Sequence, residues 1–221
     1  MLSQLNQLSL LFLFALMFLP GTYAQVVELE GKAKITQMDP ATGSASNVMR
    51  EPDGTLSLEI SSTYAVGDFA HGGVVFWVNA TGEHGKVVSI YDIGAVPWSN
   101  ITATEIGASS QSNINGAGNT VAIMQQSGHE RSAARHCADL AYRGYDDWYL
   151  PAINELQEIY NNKTTINTVS VANGGEVVAN ERYWSSTEGF PDAVFVINFS
   201  DGSSGGTLKT ASRLSRAIRA F

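Results

Sequence analysis

The sequence predicts an α+β domain built on an antiparallel sheet with two helices. Strand-like runs occur first and last in the chain, and two helical patterns lie between them, at 132–142 and 151–160. The strand–helix–strand alternation that is typical of a parallel sheet is missing from this order. We therefore expect short strands joined by turns, with the helices packed against them, between residue 64 and Phe221.

The strands are predicted from apolar runs that turn signals separate. These runs lie at 72–78, 86–90, 193–199 and 212–221. The first two flank a short polar turn, which predicts a hairpin, and Asp201-Gly202 predicts a turn ahead of the last run. The polar stretch at 101–118 predicts a long loop, and 161–181 is a second polar stretch. Long loops in compact domains are functional more often than short ones.

The segment Gly144–Tyr160 is expected to organise the core. An apolar arm, Trp148-Tyr149-Leu150, leads into Pro151, which suits the first position of a helix. Beyond the proline, a mostly apolar stripe recurs with helical spacing at Ile153, Leu156, Gln157 and Tyr160. The upstream helix at 132–142 has a face of small residues that includes Cys137, so this thiol is expected to be buried and inert.

The N-terminal region predicts export. An apolar run at 8–19 is followed by Thr22-Tyr23-Ala24, which is the pattern of a secretory signal peptide at residues 1–24, cleaved after Ala24. The run is shorter than the ~20 residues that a membrane-spanning helix needs, so we expect no membrane insertion after cleavage. The mature protein is expected to be secreted or to reside at the cell surface.

Residues 25–63 predict a short β-rich stalk or linker ahead of the domain at 64–221. The segment alternates like edge strands and carries turn signals, but it has too few large apolar residues for a core of its own. A stalk ordered by self-association, as in a homotrimer, and a flexible tether are equally compatible with this composition.

Charge and cysteine content exclude several functional classes. The formal net charge of −8 argues against nucleic acid as a partner. Cys137 is the only cysteine, which excludes an internal disulfide. No Gly-x-Ser-x-Gly elbow occurs, and the zinc-protease pattern fails because Ala133 stands where it needs a second histidine. Asp146-Asp147 favours turn capping over a calcium site. We therefore expect no enzymatic activity, no cofactor and no metal.

An ordered set of short motifs resembles a known family. The set comprises Val66-Gly67-Asp68, Gly72 to Trp77, Gly82 with His84-Gly85, Cys137-Ala138-Asp139, Asp147 to Pro151, Glu155-Leu156, Tyr183 to Thr187, and Arg216 with Arg219-Ala220-Phe221. Over 64–221 it resembles the C-terminal domain family of the Lcl (collagen-like) bacterial adhesins, a branch of the C-type-lectin-like folds. The resemblance implies a lectin-like α+β head on an exported bacterial protein, and some members are implicated in binding sulfated polysaccharides. Where the family commonly has threonine, this chain has Ala152, so Glu155 keeps only its half of a capping box.

The C-terminal region supplies a candidate binding surface. Four basic residues follow Asp201, the last acidic residue of the chain; they are Lys209, Arg213, Arg216 and Arg219. Arg216 and Arg219 are expected to be structural, reaching backbone or Asp146 and Asp147, whereas Lys209 and Arg213 are expected to be exposed. Basic side chains in this position would meet the acidic groups of a glycan.

We expect ligands to meet the polar stretches at 187–192 and 201–212, which flank one predicted hairpin. The candidate ligand-binding residues are Glu188, Phe190, Asp201, Lys209 and Arg213. The sequence thus favours an adhesin-like surface protein whose head binds an anionic glycan. The alternative is a structural head of a trimeric or filamentous surface assembly that has no small-ligand site.

Overall fold

The computed structural model describes residues 46–50, 56–60 and 62–221. The predicted signal peptide and most of the predicted stalk lie outside the described residues. The chain divides after Ile60 into two units. In the first unit, β1 (Ser46–Arg50) and β2 (Leu56–Ile60) pair antiparallel. The second unit, Ser61–Phe221, contains every element considered below.

The second unit contains nine strands and four α-helices among its described residues. The strands are β3 (Phe69–Ala70), β4 (Gly73–Val78), β5 (Gly85–Val88), β6 (Ala95–Pro97), β7 (Arg182–Phe190), β8 (Ala193–Asn198), β9 (Ser204–Leu208), β10 (Ser212–Leu214) and β11 (Ile218–Ala220). The helices are α1 (Gly116–Gln125), α2 (Ala133–Ala138), α3 (Ile153–Asn161) and α4 (Lys163–Ala172).

These strands form two sheets. A four-stranded sheet has the order β11-β5-β4-β3, and a five-stranded sheet has the order β6-β10-β7-β8-β9. All neighbours pair antiparallel except β10 and β7, which are parallel. The α+β class and the hairpin predicted from 72–78 and 86–90 are confirmed, the latter as β4–β5. The single closing strand predicted at 212–221 is wrong, because β10 and β11 join different sheets.

The prediction of two helices is also wrong, because α1 and α4 form in stretches that carry weak sequence signals. The first turn of α1 is Gly116-Ala117-Gly118, and glycine is a poor helix former. The side chain of Asn115 compensates by accepting a hydrogen bond from Gly118 N at 2.9 Å. Helix α4 is rich in threonine and valine, and it is held by packing of the buried Ile166. Tertiary contacts outweigh local propensity in both helices.

The four-stranded sheet is buried on both faces. Val74 and Val88 belong to one hydrophobic cluster, which also contains Leu156 of α3. Val75 and Val87 point the other way, into a second cluster. That cluster also contains Trp98, Ile123, Ala133, Ala134, Cys137, Trp148, Leu150, Trp184, Val194, Val196 and Ala217. The sheet therefore joins the two halves of the core.

Two expectations about individual core residues are confirmed. Trp148 is buried, with only 2% of its surface exposed. Cys137 is fully buried, and burial raises the pKa of its thiol, which keeps it protonated and unreactive. Helix α3 begins two residues later than predicted, at Ile153, with Ala152 at the N-cap.

The N–H groups at the start of α3 are satisfied by side chains other than that of the N-cap residue Ala152. Glu155 Oε2 accepts a hydrogen bond from Ala152 N at 2.8 Å, which is the half of the capping box that the sequence retains. Thr187 Oγ1 in β7 accepts from Ile153 N at 3.0 Å and donates to Ser112 O at 2.9 Å. One hydroxyl thus ties the start of α3 to β7 and to the loop before α1.

Candidate ligand-binding site

The structure does not bring the five predicted site residues onto one surface. Lys209 and Glu188 are both buried, and Lys209 Nζ lies 2.6 Å from Glu188 Oε1. The expectation that Lys209 is exposed is therefore wrong, and neither side chain is open to a ligand in solution. The physical reason is the length of β7: it extends to Phe190, so Glu188 is part of a buried strand rather than of a loop.

The buried Glu188–Lys209 pair holds the loop that precedes α1. Glu188 Oε2 accepts hydrogen bonds from the backbone N–H groups of Ile106 and Gly107, both at 2.9 Å. Lys209 Nζ also donates to Thr104 O at 3.2 Å. A buried charge is tolerated when it is paired and hydrogen-bonded in this way. The two residues therefore have a structural role in fixing the loop.

The other three candidate residues lie apart from one another. Phe190, which is 62% exposed, ends β7 beside the start of β8, whereas Asp201 lies in the turn after β8, roughly 20 Å away for six residues of strand. Asp201 closes its turn by accepting hydrogen bonds from Ser203 Oγ and Ser203 N at 2.7 and 2.9 Å, which lower the pKa of Asp201. Arg213 is half-buried, and its guanidinium donates to the carbonyl of Ser212 at 3.0 Å.

Most of the C-terminal basic residues are internal. Arg219 binds the Asp147 carboxylate through two contacts of 2.6 and 2.9 Å, which confirms its predicted structural role and lowers the pKa of Asp147. Arg216 Nε lies 3.0 Å from Asp92 Oδ1, and burial raises the pKa of Asp92 in spite of this pair. Because Lys209 is buried as well, the predicted basic surface patch does not form.

A different surface combines an exposed aromatic ring with polar side chains. It is a cleft of about 320 Å³ between the β4–β5 hairpin and α3, which we call the Trp77 cleft. Its lining residues are Phe76, Trp77, Lys86, Ile114, Asn154, Glu155 and Glu158. Aromatic, apolar and polar side chains thus meet in one concave region, which is the usual composition of a small-ligand site.

An irregularity in β4 places Trp77 in this cleft. Val75 pairs with Val87, and the next pair along the ladder is Trp77 with Lys86, so Phe76 is an extra residue in β4. Successive side chains point to opposite faces of a regular strand, so without the bulge Trp77 would lie on the face opposite Phe76. Because of the extra residue, Trp77 lies instead on the same face of the sheet as Lys86 and α3.

The floor of the Trp77 cleft is an ion pair between the half-buried Lys86 and the buried Glu155. Glu155 is only 6% exposed, and its Oε1 lies 2.6 Å from Lys86 Nζ. Its Oε2 accepts hydrogen bonds from Ala152 N and Gly116 N, at 2.8 and 3.1 Å. Burial, together with the nearby Glu155 carboxylate, raises the pKa of Tyr149 and keeps its phenol neutral. Glu155 is therefore satisfied by the protein itself and fixes the geometry of the floor.

The rim of the cleft is open to solvent. Trp77 is 43% exposed and Ile114 is 68% exposed, so two apolar surfaces face the same space. Asn154 and Glu158, one turn apart on α3, are exposed beside them. An indole face can pack against the C–H groups of a sugar ring, while amide and carboxylate groups hydrogen-bond its hydroxyls. This arrangement suits binding of a polar ring and offers no nucleophile with an adjacent base.

The sequence carries one weak signal for this site. Trp77 and Lys86 stand at the inner ends of the two predicted hairpin strands. A fully apolar strand does not reveal which of its residues is the extra one in a bulge, so the exposure of Trp77 could not be deduced. Asn154 and Glu158 lie on the polar side of the predicted helix, where an exposed surface residue is the ordinary expectation.

Comparisons with known proteins give a family and a structural similarity to solved proteins. The model of the family described as the Lcl C-terminal domain matches residues 94–219, more than half of the 221 residues. No curated protein matches the chain. A similar solved structure is that of a fimbrial protein from Bacteroides ovatus ATCC 8483, with 16% sequence identity and a TM-score of 0.49. That match covers 79% of this chain and 48% of the other, so the chain spans about half the length of the fimbrial protein.

Within the part of the chain that the structure describes, no group of three or more His, Cys, Asp or Glu side chains could hold a metal ion. In the same residues, no helix is long and apolar enough to cross a membrane.

Proposed function

Because the chain belongs to the Lcl C-terminal domain family, we propose that it acts as an adhesin-like surface protein whose lectin-like head binds a glycan in the Trp77 cleft. Family membership indicates a non-enzymatic protein of the cell surface or extracellular space. Export through the signal peptide predicted at 1–24 is part of the same proposal. The observation that carries the proposed site is the exposed Trp77 ring above the Lys86–Glu155 floor.

The charges of the Trp77 cleft favour a neutral sugar. The single cation, Lys86, is paired with Glu155, and Glu158 adds a carboxylate at the rim. A sulfated or uronic sugar would meet Glu158 without a free cation among the lining residues to offset it. The anionic preference expected from the sequence depended on Lys209 and Arg213, of which Lys209 is buried and Arg213 is half-buried. We therefore propose a neutral pyranose as the ligand class.

A matched pair of polysaccharides tests the site and its charge preference together. Dextran and dextran sulfate share one backbone and differ in charge, and mannan and galactan extend the neutral set. We expect the protein to bind at least one neutral polymer. Trp77→Ala should weaken that binding at least tenfold, about 1.4 kcal/mol, because the stacking surface is removed. Binding is measured by biolayer interferometry on the immobilised polysaccharides.

Phe190→Ala is the control variant, since it removes an exposed aromatic ring of the originally predicted surface. We expect this variant to bind like the parent. Loss of binding in Phe190→Ala with retention in Trp77→Ala would move the site to the β7–β8 turn. Binding to dextran sulfate alone, abolished by Arg213→Ser, would restore the anionic ligand and overturn the neutral one.

The second candidate function is a structural head of a surface assembly. One observation favours it: β9 forms an outer edge of the five-stranded sheet, and no described strand pairs with its free side. If the purified protein binds no polysaccharide of the set, the result favours this structural function over glycan binding.

A further inference from the structure

We propose that β9 is a self-association surface, through which two copies of this chain join their five-stranded sheets edge to edge. This proposal is independent of glycan binding. Strand β9 (Ser204–Leu208) is the last strand in the order of its sheet, next to β8. An edge strand carries unpaired backbone groups that can pair with a strand of another chain.

The register with β8 identifies which backbone groups are free. Asn198 N donates to Ser203 O at 2.9 Å, and Lys209 N donates to Asp192 O at 2.8 Å. In an antiparallel ladder, every second residue directs its backbone N–H and C=O groups toward the partner strand. The backbone groups of residues 203, 205, 207 and 209 therefore point toward β8. Ser204, Gly206 and Leu208 therefore direct their N–H and C=O groups outward. Of these groups, Leu208 O accepts from Ala211 N at 2.9 Å.

Strand β9 lacks the features that usually block edge pairing. Its sequence, Ser-Gly-Gly-Thr-Leu, contains no charged residue and no proline. All five of its residues pair regularly with β8, without a bulge. A Cβ atom added at Gly205 or Gly206 would meet nothing within 4 Å, so the strand is open to approach. Protein edges are normally protected by lysine, proline, a bulge or a covering element.

The free groups of β9 favour a second copy of the same strand as the occupant. If two β9 strands pair antiparallel with Gly206 opposite Gly206, each Ser204 lies opposite the partner's Leu208. Every outward N–H then meets an outward C=O, as a two-fold interface requires. The carbonyl of Leu208 has two lone pairs, so it can accept from the partner's Ser204 N as well as from Ala211 N. Because β9 carries no charge, identical strands do not repel, and a charged peptide would find no complement. Leu208, which is 56% exposed, would gain an apolar contact across the interface.

The test uses the full mature chain in sedimentation velocity over a wide range of concentration. We expect the weight-average mass to rise with concentration. Gly206→Lys should abolish the β9 contact, because the lysines of the two copies would face each other. The weight-average mass should then fall to that of the species without this contact. The added side chain has room, so the fold should be retained, as near-UV circular dichroism would show. Val171→Lys adds the same charge at an exposed site on α4 and should associate like the parent.

A charge-swap experiment tests the two-fold geometry. Gly206→Glu alone should not associate, but a mixture of Gly206→Glu with Gly206→Lys should recover the heavier species, because Gly206 faces its own copy. Should Gly206→Lys fail to fold, Ser204→Lys provides a second variant at the exposed edge. In the parent, amide hydrogens of Ser204, Gly206 and Leu208 should exchange more slowly at high concentration. A mass unchanged by Gly206→Lys, or concentration-independent exchange at Gly206, would overturn the proposal, whatever the predicted stalk does.

Discussion

At the scale of single residues, the basic side chains near the C-terminus act inside the protein rather than on it. Lys209, Arg216 and Arg219 are each buried beside a carboxylate, which belongs to Glu188, Asp92 and Asp147 respectively. Burial of a charge is costly unless a partner and hydrogen bonds compensate for it. These pairs therefore give the three basic residues a structural role and leave them unavailable to a polyanion.

The Glu188–Lys209 pair gives a direct test of this role. Lys209→Met should destabilise the protein by about 3–5 kcal/mol, because it leaves the Glu188 carboxylate buried without its cation. Urea denaturation monitored by tryptophan fluorescence measures the change. The matched control is Arg135→Met, which breaks an exposed pair with Asp139 and should cost under ~1 kcal/mol. Equal small losses in both variants would contradict a structural role for the buried pair.

Residue pairs differ in how far the sequence can predict them. The Arg219–Asp147 contact was one of two simple possibilities for arginines near the end of the last strand, and it is confirmed. The Glu188–Lys209 contact could not be anticipated, because it depends on the end of β7 and on the register of β9 with β8. A shift of one residue in a strand reverses which side chains are buried. The burial of Lys209 therefore depends on a strand register that the sequence does not reveal.

At the scale of secondary-structure elements, the start of α3 depends on a residue distant in sequence. Thr187 of β7 accepts a hydrogen bond from Ile153 N, one of the first N–H groups of α3, which have no partner within the helix. The same hydroxyl donates to Ser112 O. Because Asn154 and Glu158 are carried by α3, the cap also fixes one wall of the Trp77 cleft.

Thr187→Val tests this cap without changing the size of the side chain much. The substitution removes both hydrogen bonds of the buried hydroxyl, and we expect a loss of about 1–2 kcal/mol in the free energy of unfolding. Thr168→Val on the exposed face of α4 is the control and should change it by less than ~0.5 kcal/mol. A Thr187→Val variant as stable as the parent would mean that water or a rearranged backbone replaces the cap.

Elements with strong periodicity were predictable, and those held by tertiary contacts were not. The β4–β5 hairpin and helices α2 and α3 follow from apolar patterns in the sequence. Helices α1 and α4 contain glycine, threonine and valine, whose helix propensities are low, so their sequences indicate loops. The bulge at Phe76 has no recognisable sequence pattern, so the exposure of Trp77 and the cleft beside it could not be predicted.

At the scale of the whole molecule, the folded unit begins before the residues that the family model matches. The match starts at residue 94, whereas β3, β4 and β5 lie between Phe69 and Val88. Strand β11 at the end of the match pairs with β5, and β4 and β5 supply valines to both hydrophobic clusters. The matched region alone therefore lacks three of the four strands of one sheet.

Two fragments test this boundary. Residues 61–221 should unfold cooperatively, because both sheets and both clusters are complete. Residues 94–221 should show no cooperative transition in a thermal melt followed by circular dichroism, since the partner of β11 and much of the core are removed. A well-dispersed NMR spectrum from residues 94–221 would contradict this assignment of the folding unit.

The position of Trp77 also determines how the domain would bear mechanical load. Residues 64–68 contact β4 and its turn directly: Tyr64 N donates to Gly82 O at 2.8 Å, and Val75 N donates to Asp68 O at 2.9 Å. Tension between a sugar held on Trp77 and the chain entering at residue 62 would follow this short path. Strands β7, β8 and β9 lie outside it. Such a load would therefore act on the β4–β5 hairpin before it reached the five-stranded sheet through α3.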